Sequence, residues 1–260
     1  MLSKNKSGFI ISLQKKKERD KTRLFIIEGD KLVREFILAG AGIKLLAAKP
    51  EFINSLSAAQ KEGIEEIEPA GYEELRKISS LKTPHNALAV VSMPVYSSDW
   101  SFLSTELTVA LDFVQDPGNL GTIIRAASWF GIKNLICSPD CVDIYNPKVI
   151  QATMGAILNV RVRYENLEDL LKKTAKMELP VYGTFLAGES VYMQELGSRG
   201  IILFGNESKG ISKGLFPYIS TRLVIPKSAG DIAGTESLNV GMAASIVLSE
   251  FARRSYPTAR

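Results

Sequence analysis

The chain has 260 residues, 45% of them hydrophobic and 23% charged, with a formal net charge of +4. That is enough apolar material for one large core or two modest ones, and too much for a disordered chain. No apolar run approaches the roughly 18 residues of a membrane span, and two cysteines with one histidine cannot furnish a closed zinc set. Cys137 and Cys141 are expected to be reduced structural thiols, since a chain of this size needs no disulfide scaffold. Near the start, the short apolar stretch Phe9–Leu13 runs into Lys15, Lys16, Lys17, Glu18, Arg19 and Asp20. That is neither a secretory signal nor a stop-transfer pattern, so a cytoplasmic location is expected.

Charge is unevenly placed. Residues 1–23 carry eight basic groups against two acidic, and residues 1–95 carry 16 against 12, whereas residues 96–260 are neutral. A basic leading segment on a neutral body fits a polyanion partner, although a solvated helix face accounts for it equally well. In chain order, strand-like stretches (Leu24–Ile27, Ile43–Ala47, Ala87–Val91) alternate with helix-like ones (Asp30–Leu38, Tyr72–Ile78). These define an α/β domain over residues 1–95. The turn-rich run Met93–Trp100 predicts a linker, placed at 96–104.

A second domain is expected over 105–260. Val109–Val114 reads as a buried strand and Leu120–Phe130 as a helix closed by Gly131. Strands follow at Leu135–Cys137, Val160–Val162, Val181–Phe185, Ile201–Phe204 and Arg222–Ile225, and the chain closes with a helix over Leu238–Arg253. The alternation predicts a mainly parallel sheet flanked by helices, with ligands bound beyond the carboxyl ends of its strands.

Three segments stand at those ends. The first is Gln115-Asp-Pro-Gly-Asn-Leu-Gly-Thr-Ile-Ile-Arg125, where Asn119 is placed to cap the helix and Arg125 lies among apolar residues. An arginine there keeps its charge, so its head must reach a cleft, a phosphate or solvent. The second, Leu203-Phe-Gly-Asn-Glu-Ser-Lys-Gly-Ile211, sets two glycines around a polar tetrad and can grip a flat polar ligand edge through its main chain. The third runs from Leu223 through Pro226 and a Gly-rich loop into Ser237-Leu-Asn-Val-Gly-Met-Ala-Ala-Ser, with Ser237 placed to cap the last helix. Its small residues allow close backbone packing. Taken singly, each segment reads as well as a capped helix or a turn. There is no Walker loop or complete dinucleotide fingerprint.

In this order and spacing, the three segments resemble the motifs of the SpoU/TrmH family of RNA 2′-O-methyltransferases, and the intermediate stretch Asn146-Pro-Lys-Val-Ile-Gln-Ala-Thr-Met-Gly155 also looks like family sequence. Leu24-Phe-Ile-Ile-Glu-Gly-Asp-Lys is similar to the N-terminal RNA-binding module that many members carry. The resemblance implies a trefoil knot in the second domain, S-adenosylmethionine as methyl donor, an RNA substrate and a homodimer. By motif it makes Leu203, Gly205, Glu207, Ile225, Pro226 and Leu238 the donor-binding residues, and Asn119, Arg125, Glu207, Ser237 and Asn239 the catalytic set.

The chemistry is reasonable for those side chains. A ribose hydroxyl must lose its proton as it attacks a sulfonium methyl, so orientation and base assistance are the available help. The single histidine, His85, precedes the second domain, which leaves Arg125 as base or as phosphate clamp. The clamp is the more economical role for a group whose reference pKa exceeds about 12. The sequence departs from the family in Lys227 after Pro226 and in the long run Ser228–Glu236. The N-terminal module favours ribosomal RNA as the substrate. Transfer RNA, base methylation and a catalytically silent RNA-binding protein remain the alternatives.

Overall fold

The computed structural model describes residues 2–227 and 237–255. In chain order its helices and strands are α1 (Lys4–Ser12), α2 (Lys16–Thr22), β1 (Leu24–Glu28), α3 (Asp30–Leu38), β2 (Ile43–Ala48), α4 (Pro50–Asn54), α5 (Ala58–Glu62), β3 (Ile67–Pro69), α6 (Tyr72–Ile78) and β4 (Ala87–Ser92). They continue with β5 (Leu107–Leu111), α7 (Pro117–Trp129), β6 (Asn134–Cys137), α8 (Pro147–Thr153), β7 (Arg161–Tyr164), α9 (Leu167–Ala175), β8 (Val181–Ser190), β9 (Gly200–Phe204), β10 (Thr221–Val224) and α10 (Val240–Ser255). The chain divides into two compact units. One comprises Met1–Tyr96 with Asp143–Leu158, the other Ser97–Val142 with Asn159–Arg260.

In the first unit, four strands pair in the order β1-β4-β2-β3, with β4 antiparallel to both neighbours and β2 parallel to β3. Ile10 of α1, Leu13 just after it, and Leu75 and Ile78 of α6 pack on Ile26, Leu45 and Val90. Each such large side chain contributes about 1.5–3 kcal/mol when fully removed from water. The segment Asp143–Leu158, although it lies between β6 and β7 in the chain, is built into this unit. Tyr145 sits 4.6 Å from the Phe25 ring centre, Gln151 Nε2 donates to the Glu28 carbonyl at 2.8 Å, and Val149, Ile150 and Ile157 are buried. Arg19 fixes the start of the segment. Its guanidinium is buried, donating to the carbonyls of Leu13 and Gln14 and, through Nε and Nη2, to Asp143 Oδ2. Glu28, also buried, accepts from Ser79 Oγ and from the amide and hydroxyl of Ser80.

The second unit is a six-stranded sheet in the order β10-β8-β9-β5-β6-β7, parallel at every pairing. Val109–Leu111 of β5 and Ile201–Phe204 of β9 are fully buried, the reason these strands read in sequence as unbroken apolar runs. The chain builds outward from β5 through β6 to β7, then returns so that β9 lies on the other side of β5. The strand order therefore reverses between β5 and β9, and a crevice is expected at their carboxyl ends. At the opposite, amino-terminal edge, a cleft of about 260 Å³ lies among Thr105, Glu106, Lys133, Ser198 and Phe251. That is the wrong end of a parallel sheet for a ligand site.

Several boundaries differ from the sequence reading. β5 stops at Leu111 rather than Val114, because Phe113 takes a left-handed backbone (φ +62°) and turns the chain. The cap of α7 is Asp116, whose Oδ1 accepts from the Asn119 amide at 2.8 Å; Asn119 is inside the first turn. At α10 the cap is Asn239, whose Oδ1 accepts from Gly241 and Met242, and not Ser237 two residues earlier. Helices α1, α2, α4 and α5 and strand β3 went unforeseen, all but α1 of seven residues or fewer. The long run Ser228–Glu236 noted above lies outside the described residues.

Candidate functional site

The loops after β5 and β9 meet at the reversal point and are tied by three side chains. Asn206 Nδ2 donates to the Phe113 carbonyl (2.9 Å), Asp112 Oδ2 accepts from the Ser212 amide (2.7 Å), and Lys209 lies over the Phe113 ring. Within the β9 loop, Asn206 and Gly210 exchange both backbone hydrogen bonds, and Asn206 Oδ1 accepts from the amides of Ser208 and Lys209. This folds residues 205–211 into a tight ring. Gly205 is indispensable to it, since a Cβ there would overlap the carbonyl carbon of Gly210 and sit 2.5 Å from its oxygen.

On this scaffold the structure assembles three of the expected catalytic side chains. Asn239 Nδ2 donates to Asn119 Oδ1 at 2.8 Å, and Asn119 Nδ2 donates to Glu207 Oε1 at 2.7 Å. Asn206 Nδ2 also reaches Glu207 Oε2 at 3.3 Å. The network links the loop after β9, the first turn of α7 and the cap of α10, three elements far apart in sequence. Every donor in it points toward the carboxylate, so both amide orientations follow from the network itself.

The closeness of α7 and α10 has a steric cause. A Cβ on Gly241 would lie 3.1 Å from Thr122 Cγ2, and Ala244 one turn later is fully buried. The small residues of the third motif are spent on this contact. Leu238, beside Asn239 in the chain, is 44% exposed.

Other expected residues stand apart. Arg125 is exposed on α7, six residues beyond Asn119, on the face that carries Thr122 and Trp129, and forms no hydrogen bond or ion pair among the described residues. Ser237 is exposed ahead of α10. The Leu203 side chain is packed in the core, and its carbonyl accepts from Thr184 Oγ1 at 3.1 Å. Ile225 and Pro226 follow β10 and lead into the undescribed stretch.

Comparison with known proteins settles the family. The model of the SpoU rRNA methylase family matches residues 106–249, more than half of the chain. The chain belongs to the SpoU rRNA methylase family. Residues 8–89 match a second model, the MRM3-like substrate binding domain. Among relatives, the chain is 29% identical to the 23S rRNA (guanosine(2553)-2′-O)-methyltransferase RlmP of Bacillus subtilis, covering 91% of both proteins. Among solved structures it is similar to an RNA methyltransferase of the TrmH family from Porphyromonas gingivalis, described as putative (36% identity, TM-score 0.87, 98% of this chain and 99% of that one). It is also similar to the AdoMet-bound rRNA methyltransferase of Sinorhizobium meliloti (29% identity, TM-score 0.83, 99% and 97%).

For this SpoU chain, the sequence reading missed Asn206, Asp112 and Asp116. Asn206 lies within the second motif and organises the whole loop. A signal existed: Asn after a strand-ending Gly, four residues before a second Gly, is the composition of a closed turn. Asp116 before Pro117 had the ordinary signature of a helix start, a cap followed by proline. Asp112 had no signal, because its partner Ser212 lies a hundred residues away.

Proposed function

We propose that this SpoU-family chain transfers a methyl group from S-adenosylmethionine to a ribose 2′-hydroxyl of ribosomal RNA. The observation that carries the reading is the Asn239–Asn119–Glu207 network at the reversal point of the parallel sheet. A methyltransferase relative of nearly equal length and an AdoMet-bound structural neighbour support it.

The residues present suit such a donor. Gly205 lets the ring close and its exposed part, Glu207–Gly210, offers main chain, Ile225 and Leu238 offer apolar surface for an adenine, and the Glu207 carboxylate complements a sulfonium. Leu203 and Pro226 bound the same strand ends. When bound, the donor supplies an electrophilic methyl. The protein's share is orientation: Asn119, Asn239 and Ser237 position the ribose, Glu207 anchors their amides, and Arg125 holds an RNA phosphate. Arg125 is exposed and forms no hydrogen bond or ion pair among the described residues, which leaves its charge free to hold a phosphate and favours the clamp.

The first unit, matched by a substrate-binding model and carrying the basic excess, is the RNA-binding module. The trefoil knot and a homodimer complete the reading, with Trp129 (84% exposed) on α7 and Met242 (57%) on α10 as the surface shared by two copies. Among the described residues no helix is long and apolar enough to cross a membrane, and both cysteines are free, in keeping with action in the cytoplasm.

The test is direct. Purified protein should bind S-adenosylmethionine in a calorimeter and move its labelled methyl to protein-free ribosomal RNA. Digestion to nucleosides should recover the label as a 2′-O-methylnucleoside. Label in a base, or donor binding without transfer to any RNA, overturns the proposal. Loss of one 2′-O-methyl mark in a deletion strain identifies the nucleotide.

A further inference from the structure

The first unit carries a cleft of about 600 Å³, lined by Gln14, Ser80, Leu81, Asn146, Lys148 and Gln151 with Pro147 and Ala152. Three pieces of chain make it: the turn between α1 and α2, the loop after α6, and α8 with its cap. Each piece is held by partly buried polar contacts already described. Arg19 binds the Gln14 carbonyl and Asp143, Ser80 is bonded to Glu28, and Gln151 is bonded to the carbonyl of the same Glu28. Asn146 Oδ1 accepts from the Lys148 amide, which fixes the cap of α8. The cleft is therefore a built feature with a rigid floor.

Its chemistry is specific. No carboxylate lines it, and the side chains of Gln14 and Lys148 are exposed and form no hydrogen bond among the described residues. Lys148 on α8 lines the cleft, and the exposed Lys15, Lys16 and Lys82 are the chain neighbours of its lining residues Gln14 and Leu81. Apolar surface from Leu81, Pro147 and Ala152 lies between amide side chains that can both donate and accept. A duplex presents only a phosphate ridge to such a cleft. An unpaired nucleotide presents a flat base for the apolar surface, edges for the amides and a phosphate for the lysines.

We infer that this cleft, formed jointly by the N-terminal segment, the loop after α6 and residues 146–152, takes an unpaired nucleotide of the substrate RNA; the cleft belongs to the first unit and the Asn119–Glu207–Asn239 network to the second. The inference rests on the RNA-methyltransferase reading and adds to it a second point of RNA contact. It also gives a role to the Asn146–Gly155 stretch.

The full chain should bind a fluorescein-labelled oligouridine of about 12 nucleotides more tightly than an RNA duplex of equal length. Lys148→Glu and the cleft-filling Gln14→Trp should each weaken oligouridine binding about fivefold or more, and Lys148→Arg should retain it. None of the three should alter affinity for S-adenosylmethionine. Photo-crosslinking with 4-thiouridine in the oligonucleotide should label peptides containing residues 10–17 or 144–153. Wild-type affinity in both Lys148→Glu and Gln14→Trp, or crosslinks confined to other peptides, overturns the inference. If both variants methylate ribosomal RNA with unchanged KM, the cleft fails and the methyltransferase reading stands. If the wild type binds oligouridine through the cleft but methylates nothing, the methyltransferase reading fails alone.

Discussion

Arg125 is the residue on which the proposed chemistry turns, and its surroundings separate its two roles. It is exposed and contributes no described hydrogen bond or ion pair, so Arg125→Ala should change folding stability by no more than about 0.5 kcal/mol. Methyl transfer should fall about 100-fold or more, as expected when a positioned charge is lost from a reacting complex. As a clamp, Arg125 acts through its charge, so Arg125→Lys should recover part of the activity through its remaining cation and Arg125→Gln should not. Denaturation curves and labelled-methyl assays on the three variants check both outcomes. Glu207, by contrast, is tied to Asn119 and Asn206, and Gly205 is held by contact with Gly210, so changes there disturb structure and chemistry together.

Elements carry the next level of dependence. The segment Asp143–Leu158 joins the first unit through α8, and its anchor is the buried pair of Arg19 and Asp143. Asp143→Ala leaves a guanidinium buried against only two carbonyls and should cost about 3–5 kcal/mol. The apolar replacement Arg19→Met with Asp143→Leu should cost less than either single change, and urea denaturation of the three variants checks this ordering. At the other end of the chain, α10 is locked by Glu250. Hydrogen bonds from Arg253 first and Arg254 second, working against burial, hold its carboxyl down to about 2 from an ordinary 4.5. Arg254 also donates to the Tyr192 carbonyl, joining the helix end to the chain after β8. Because the folded-state pKa is depressed, the stabilisation is complete above about pH 4.5 and disappears as pH falls toward 2. Glu250→Gln should lower Tm at pH 7 and flatten its fall between pH 4.5 and 2, read by calorimetry at matched ionic strength.

For the whole molecule, the proposed homodimer is tested at the exposed apolar groups of α7 and α10. Trp129 and Met242 are large, apolar and open to solvent on two helices that pack together. Trp129→Glu with Met242→Glu should convert a dimer at micromolar concentration to a monomer in sedimentation equilibrium; a wild type that sediments as a monomer removes the dimer. The sequence by itself determined the alternation of strands and helices, the parallel character of the second sheet, the family and the three motifs. These depend on local periodicity and on short runs such as Gly205–Gly210 and Ser237–Asn239, which a single segment carries whole. It also placed Asn119, Glu207 and Asn239 among the candidates. Only the tertiary structure decided that these three form one hydrogen-bonded chain while Arg125 stays outside it, and that residues 143–158 belong with the N-terminal unit. Those outcomes rest on partners 88 to 124 residues apart, such as Asn119 with Glu207 and Arg19 with Asp143. No local pattern encodes such pairings, because they exist only after the sheet order has brought distant strand ends together.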